Sequence, residues 1–457
     1  MKKNKIVIIG ASHGGHQLLL DLLSQYGNEV DITVLENSNY VSFMSCGMEL
    51  FLENKTTGID NVRNFRKSDF KQNNVHILNN TEVKSINPKK KMVIIFNNGK
   101  LLNCEYDKLI ITSGVIPKML NIPGKNLNNI YGMRGFDSAH EFKDKINDRS
   151  IKNIVVIGTG YIGIEASEIF AKAGKKVTLI GRTSNVVEKY LDKDLSKIIS
   201  TELDNNNIIV KNNTEAIEFT GEKSVKAVKT EKELIPADMV IEAIGISPNT
   251  EYLKNVINVD KQGFINTNEY FQTNVPDVYA IGDAVKVYSI PANKKLSIAL
   301  ASTTRREAKY VANHLYEKIP SDPFVGIVGS SALKVFDYYF ATSGLSAFNA
   351  KRLGITVKTV IYEDYLQPSF ISKEQGNEKA YVKIVFNPNN HQILGSSILS
   401  KKDITFAGNI FSLAIQNKLT VDDLAIADFF FQPGFDRQWN IINLAAQSIL
   451  NSEKLTF

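Results

Sequence analysis

An apolar strand, a glycine turn and a helix occur twice in this chain. Residues 5–23 read KIVIIGASHGGHQLLLDLL, and residues 153–174 read NIVVIGTGYIGIEASEIFAKAG, about 148 residues later. Each copy is followed by a second strand, DITVLE (31–36) or KVTLIG (176–181). Each half then carries NNTE, at 79–82 and 212–215, and alternating strands around a polar turn. Each closes on an apolar strand ending in glycine, DKLIITSG (107–114) or ADMVIEAIG (237–245). This shared order predicts a duplicated Rossmann-like α/β nucleotide-binding domain.

Glycine-rich turns between strand and helix let the backbone approach a pyrophosphate, which rests on the positive end of the helix. The second copy is complete, with Gly158, Gly160 and Gly163 around Tyr161 and Ile162. The first has Gly10 and Gly15, with Ser12 at the middle position. The acid that ends the second strand of such a fold holds a ribose hydroxyl. Glu36 stands there in the first copy, whereas the second copy reads GRTSN (181–185). Gly181 replaces the acid, and Arg182 follows as a candidate partner for a 2′-phosphate. NADPH is therefore expected to be accepted alongside NADH, unless Arg182 is a solvated loop residue. A later stretch, TNVPDVYAIGDA (273–284), runs a strand into Gly282-Asp283, where an acid can bind a flavin ribitol hydroxyl. After two dinucleotide folds this predicts FAD. Ser113, Gly114 and Gly245, at the ends of the closing strands, are further candidate cofactor contacts.

A chain of 457 residues, 43% apolar and 22% charged, is long enough for two or three globular domains. No apolar run is long enough for a membrane span, and the short run before Gly10 is too short for a signal-peptide core. A cytoplasmic location is the expectation. The net charge of +6 is spread along the chain, with no basic stripe to suggest nucleic acid. No metal site is expected. Two distant cysteines, Cys46 and Cys104, do not make a disulfide framework. Cys46 lies in SFMSCGMEL, before a stretch with apolar helical spacing. Helix-end amides favour a thiolate. Such a thiolate can attack peroxide and become a sulfenic acid. Without a second cysteine nearby, that acid must be reduced by the flavin. Cys104 is expected in a buried strand.

These motifs together resemble the flavin-dependent disulfide reductase superfamily, in its single-cysteine branch of NADH peroxidases, water-forming NADH oxidases and coenzyme A disulfide reductases. The resemblance spans essentially the whole chain. It rests on GASHGG (10–15), SFMSCGM (42–48), GTGYIGIE (158–165), AIGDA (280–284), IALAS (298–302) and ADFFFQPGFDRQWNIIN (427–443). It implies an FAD domain at 1–117 and 248–325, an NAD(P) domain at 118–247, and an α+β dimerisation domain at 326–457. In that last region, AYVKIVFNPNNHQILGSSIL reads as a hairpin and ITFAGNIFSLAIQNKL as an amphipathic helix.

The resemblance also implies roles. Cys46 is the redox centre, and His13 handles protons or donates a hydrogen bond to a leaving hydroxide. Arg305 lies near that histidine, but Gln17 stands where related peroxidases carry an acid, so the arginine–acid pair is incomplete. Tyr161 covers the flavin and swings aside, with helix packing as the alternative. Glu165 contacts the nicotinamide end, and Leu300 and Ala301 approach the flavin pyrimidine. The phenylalanines of FFFQPGF (429–435) are expected to be mostly core, with Phe431 and Pro433 of one subunit covering the other's active site. A homodimer, or a dimer of dimers, follows. The SHGG and FFFQP segments favour an NAD(P)H peroxidase acting on hydrogen peroxide. A water-forming oxidase acting on dioxygen is the near alternative, and a coenzyme A disulfide reductase a weaker one because of His13. A non-catalytic flavin-binding sensor is the reading from a different class.

Overall fold

The computed structural model describes residues 3–317 and 320–454. Its first parallel sheet has the strand order Val278–Ala280, Lys108–Ile111, Asn4–Ile9, Val30–Leu35, Val75–Leu78. Ile6, Ile8, Ile32, Leu109 and Ile110 are fully buried in it, as strands covered on both faces require. The second parallel sheet repeats this plan with Ile209–Lys211, Lys176–Ile180, Asn153–Ile157, Met239–Glu242 and Ile130–Gly132. Each repeat carries a three-stranded antiparallel insert, spanning 81–105 in the first and 216–236 in the second.

The edge strand Val278–Ala280 of the first sheet comes after the whole second repeat in sequence, yet pairs with Lys108–Ile111. The chain crosses between repeats twice, and the two crossings run side by side: Val115–Pro117 pairs antiparallel with Ile246–Pro248. Gly114 and Gly245 precede these crossings with φ of +61° and +118°. A residue with a Cβ is disfavoured at such values, so these glycines permit the turn.

The remaining chain forms a five-stranded antiparallel sheet, ordered Ser330–Val335, Tyr338–Gly344, Ile393–Ser400, Lys379–Phe386, Lys358–Tyr365. The hairpin read from 380–399 is the central pair of this sheet. The expected amphipathic helix is Gly408–Gln416, which buries Phe411, Ala414 and Ile415 against the sheet. This unit is bolted to the second repeat. Lys383, almost fully buried, lies 3.2 Å from Asp192 and 3.0 Å from Asp194. The Asp192 carboxylate also accepts the N–H groups of Ala347 and Phe348 at the start of the helix Ala347–Leu353.

Candidate active site

The two glycine turns separate what the chain needs from what a ligand needs. A Cβ at Gly10 would lie 2.6 Å from the Thr112 carbonyl oxygen, and one at Gly15 would lie 1.8 Å from the Gly10 oxygen. Gly158 and Gly163 repeat this, at 2.3 Å from the Ala243 oxygen and 1.8 Å from the Gly158 oxygen. These four make the strand–helix junctions possible. Gly160 is different: a Cβ there meets nothing within 4 Å, so the protein's own packing does not demand a glycine. A group lying against the backbone at the start of the helix Tyr161–Lys172 would demand it. In the first copy Ser12 holds the same place before the helix His13–Tyr26, with no side-chain capping bond. Both turns fit a dinucleotide pyrophosphate.

Glu36 sits at the end of its strand as expected. One carboxylate oxygen accepts the Ala11 N–H at 2.8 Å and the other the Ser38 N–H at 2.9 Å. The acid is thereby held beside the turn where a ribose would sit. In the second copy Arg182 lies 3.6 Å from Glu215, and both side chains are exposed. Asp283 stands in the turn after Val278–Ala280, with burial pushing its carboxyl up, and lies 3.6 Å from Arg134. Sequence reasoning missed Arg134, a single arginine in a loop with no motif around it. It also missed Glu307, which is buried on the helix Ala301–His314 and accepts the Gly282 N–H at 2.6 Å. Leu300 caps that helix and Ala301 begins it. Ser113 donates to the Asn249 carbonyl at 2.9 Å, next to the paired crossings. Ile162 is exposed at the second turn.

Cys46 lies in a single 3-10 turn, Ser45–Gly47, which leads into a helix of only five residues, Met48–Leu52. The expected helix start is present, but its effect on the thiol is overruled. Desolvation pushes the Cys46 thiol up; the negative field of Glu165 adds to this, and hydrogen bonds from the Cys46 and Gly47 amides offset only part. A helix this short has little dipole to offer. His13 Nε2 is 3.8 Å from Cys46 Sγ. Burial, then Arg305 and Arg134, push the His13 imidazole down to about 4. His13 is therefore neutral at pH 7, and its ring can donate a hydrogen bond toward the sulfur. His13 Nδ1 is buried with no partner. That suits the tautomer in which Nε2 carries the proton toward the sulfur, because an unpaired lone pair is less costly than an unpaired N–H. His16, by contrast, is structural: it hydrogen-bonds Ser42 at 2.7 Å and stacks on Phe65. Cys104, on the strand Lys100–Glu105, is half-buried rather than buried; both cysteines are free.

Arg305 donates to Gln17 Oε1 at 3.3 Å, and Gln17 Nε2 in turn donates to both Asp21 oxygens at 3.1 Å. The acid missing at position 17 is thus supplied one turn later, through an amide. Tyr161 stacks on Tyr190, with ring centroids 3.8 Å apart, and shares a 2.9 Å hydrogen bond with Ser331. Tyr190 and Ser331 carried no sequence signal of their own. Glu165 is pushed up to about 8 by burial first, then by Glu49 and Glu168.

The expectation that FFFQPGF is mostly core is wrong. Phe430, Phe431 and Phe435 are exposed, and Phe429 is half-buried. The segment has no regular structure, so its side chains follow no single inward face. Pro433 is half-buried beside them, and Phe406 and Ile426 on the same unit are also exposed. An apolar surface of this kind is characteristic of a protein–protein contact. Among the described residues no helix is long and apolar enough to cross a membrane.

Residues 4–308 match the family described as pyridine nucleotide-disulphide oxidoreductase, and residues 330–441 match its dimerisation domain. An NADH oxidase of Enterococcus faecalis is 34% identical, over 98% of this chain and 100% of the relative. The structure of the water-forming NADH oxidase from Lactobacillus brevis, bound to NADH, superposes with a TM-score of 0.94 at 30% identity, covering 99% of this chain and 100% of that one. An engineered form of that protein, described as a water-forming NADPH oxidase and bound to NADPH, also gives 0.94 at 30% identity, over 99% of both chains. With two matched family regions, whole-chain relatives and two glycine cradles of the required form, the chain belongs to the pyridine nucleotide-disulphide oxidoreductase family: it is an oxidoreductase that uses FAD and a nicotinamide dinucleotide.

Proposed function

We propose that this enzyme is a water-forming NAD(P)H oxidase. It would take electrons from two molecules of NADPH or NADH, with two protons, and reduce one dioxygen to two waters. The observation that carries this reading is the whole-chain likeness to a water-forming NADH oxidase combined with the single thiol set 3.8 Å from a neutral histidine. FAD, when bound, supplies the electron-transfer chemistry between nicotinamide and acceptor. Gly10, Ser12, Gly15, Glu36 and Asp283 would hold it, with Ser113, Gly114, Leu300 and Ala301 at its edge. Gly158, Gly160, Gly163, Ile162, Glu165 and Gly245 would hold the nicotinamide dinucleotide.

Cys46 handles peroxide that forms or enters at the site. The Cys46 thiol first gives its proton to solvent, and the resulting thiolate attacks one peroxide oxygen; an S–O bond forms, the O–O bond breaks, and hydroxide leaves to take that proton back. His13 Nε2–H orients and stabilises the anionic sulfur before attack. The sulfenic acid then receives two electrons supplied by NAD(P)H and returns to thiolate and water. Burial, with Arg305 held by Gln17 adding to it, keeps the imidazole neutral. Phe431 and Pro433 would shield a second subunit's site from water, which protects a sulfenic acid from further oxidation.

NADPH is included because Gly181-Arg182 removes an acid and supplies an arginine. The engineered NADPH oxidase carries comparable consecutive changes, aspartate to alanine, alanine to arginine and methionine to serine, of which the arginine is identical to Arg182. Its aspartate follows another substituted glycine by eighteen residues, the spacing of Gly163 and Gly181. The deciding experiment is NAD(P)H oxidation by the purified flavoprotein with oxygen uptake and peroxide release recorded together. Two NAD(P)H consumed per dioxygen without released peroxide supports the oxidase. Turnover only under nitrogen with added hydrogen peroxide would refute it and restore the peroxidase.

A further inference from the structure

The second glycine turn is closed by two hydroxyl groups that no motif predicts. Thr183 Oγ1 donates to the Asn185 carbonyl at 2.9 Å, so its one proton is spent. Thr159 Oγ1, 2.8 Å away, is then the donor to Thr183. The Thr159 carbonyl accepts the Val187 N–H at 2.7 Å, which anchors its backbone as well. A Cβ on Gly181 would lie 2.6 Å from Thr159 Cγ2 and 3.0 Å from its Oγ1. A β-branched side chain has few rotamers, and turning this one aside breaks its bond to Thr183. Position 181 therefore has no room for the acid that would grip an unphosphorylated ribose.

An acid is present nearby, on another segment. Glu215 follows Thr214, whose N–H binds the Gly181 carbonyl at 2.9 Å, and Asn213 N–H binds the Thr183 carbonyl at 3.1 Å. These bonds hold Glu215 beside Arg182. The pair is 3.6 Å apart, with side chains 77% and 55% exposed, an arrangement weak enough for a better anion to break. A phosphate offers arginine a stronger, bidentate partner.

We propose that Thr159 and Glu215 set the nucleotide selectivity of this site: Thr159 bars an acid from position 181, and Glu215 holds Arg182 until an adenosine 2′-phosphate displaces it. This rests on the reading that the site accepts NADPH. The ligand class is an adenine dinucleotide phosphorylated on its 2′-oxygen. The site tolerates the unphosphorylated form, because Glu215 then keeps Arg182 occupied.

The test uses the flavin-loaded enzyme and two redox-inert probes, adenosine 2′,5′-bisphosphate and AMP, titrated calorimetrically. Glu215→Gln is expected to tighten the bisphosphate roughly two- to fivefold, the range of an exposed ion pair, and to leave AMP unchanged. Gly181→Asp alone should weaken both probes. Combined with Thr159→Gly, it should restore AMP binding and weaken the bisphosphate at least tenfold relative to AMP. Unchanged bisphosphate affinity in Glu215→Gln overturns the role of Glu215. Full AMP preference from Gly181→Asp alone overturns that of Thr159. If the aspartate variants do not fold, Gly181→Ala decides: its thermal midpoint should fall and recover with Thr159→Gly, and a midpoint that does not recover overturns the role. Arg182→Gln tests the underlying reading separately, since equal bisphosphate affinity in that variant would remove NADPH acceptance itself.

Discussion

Glu165 ties the chemistry of the site to the stability of the fold. Its carboxyl is pushed up to about 8 from an ordinary 4.5, first by burial, then by Glu49 and Glu168. Between these two values the unfolded chain releases the proton while the folded chain keeps it. The folded state then binds more protons, so stability falls as pH rises through that window. At 1.36 kcal/mol per unit the ceiling is about 5 kcal/mol, and relaxation of a partly buried side chain brings the expectation to about 2–3 kcal/mol. Glu165→Gln removes this loss. For a chain of this size the unfolding entropy is roughly 1 kcal/mol per degree, so the gain corresponds to ~2–3 °C. Melting curves of the flavin-loaded protein and the variant should nearly coincide at pH 5. They should separate at pH 9, with the variant higher. The same variant should lower the Cys46 thiol's titration midpoint, read from the pH dependence of alkylation, because the Glu165 carboxylate raises it. A melting difference that stays flat from pH 5 to 9, or narrows, would refute the placement of an ionising group here.

Other expectations follow from the same geometry. Cys46→Ser should leave NAD(P)H oxidation in air measurable while the product shifts from water toward released hydrogen peroxide, assayed by peroxide-specific dye. Gln17→Glu puts a carboxylate against Arg305, and should raise the His13 imidazole from its value of about 4, followed by NMR of the ring protons. Asp192→Ala leaves the buried Lys383 with Asp194 alone and frees two N–H groups, and should cost about 2–4 kcal/mol in denaturant unfolding. Phe430→Glu with Phe435→Glu should shift the enzyme toward monomer in sedimentation at low concentration, since these exposed rings fit a subunit contact.

The nucleotide-binding architecture was legible in the chain because its signals are local. A glycine turn between strand and helix needs residues a few positions apart, and duplication let one copy check the other. The hairpin of the C-terminal unit and the helix that follows it were readable for the same reason, from period-two and helical apolar spacing. Cys46, His13 and Glu36 were found by motif, although nothing in the spacing of Cys46 and His13 revealed how desolvation would act on them. The thiol expected to be lowered by a helix end is raised instead, because desolvation outweighs the amides of a one-turn helix and Glu165 faces it from another segment. Arg134, Tyr190, Ser331 and Glu307 reach the site from loops, helices and strands far apart in sequence, where no periodicity marks them. The FFFQPGF segment shows the same limit in reverse. Its composition is that of a core, yet no element turns those rings inward, so they remain on the surface. Sequence alone determined the elements, their order and the chemistry available, since those depend on neighbours along the chain. Only the tertiary structure decided charge states, pairings and exposure, because each depends on groups that folding brings together from distant positions.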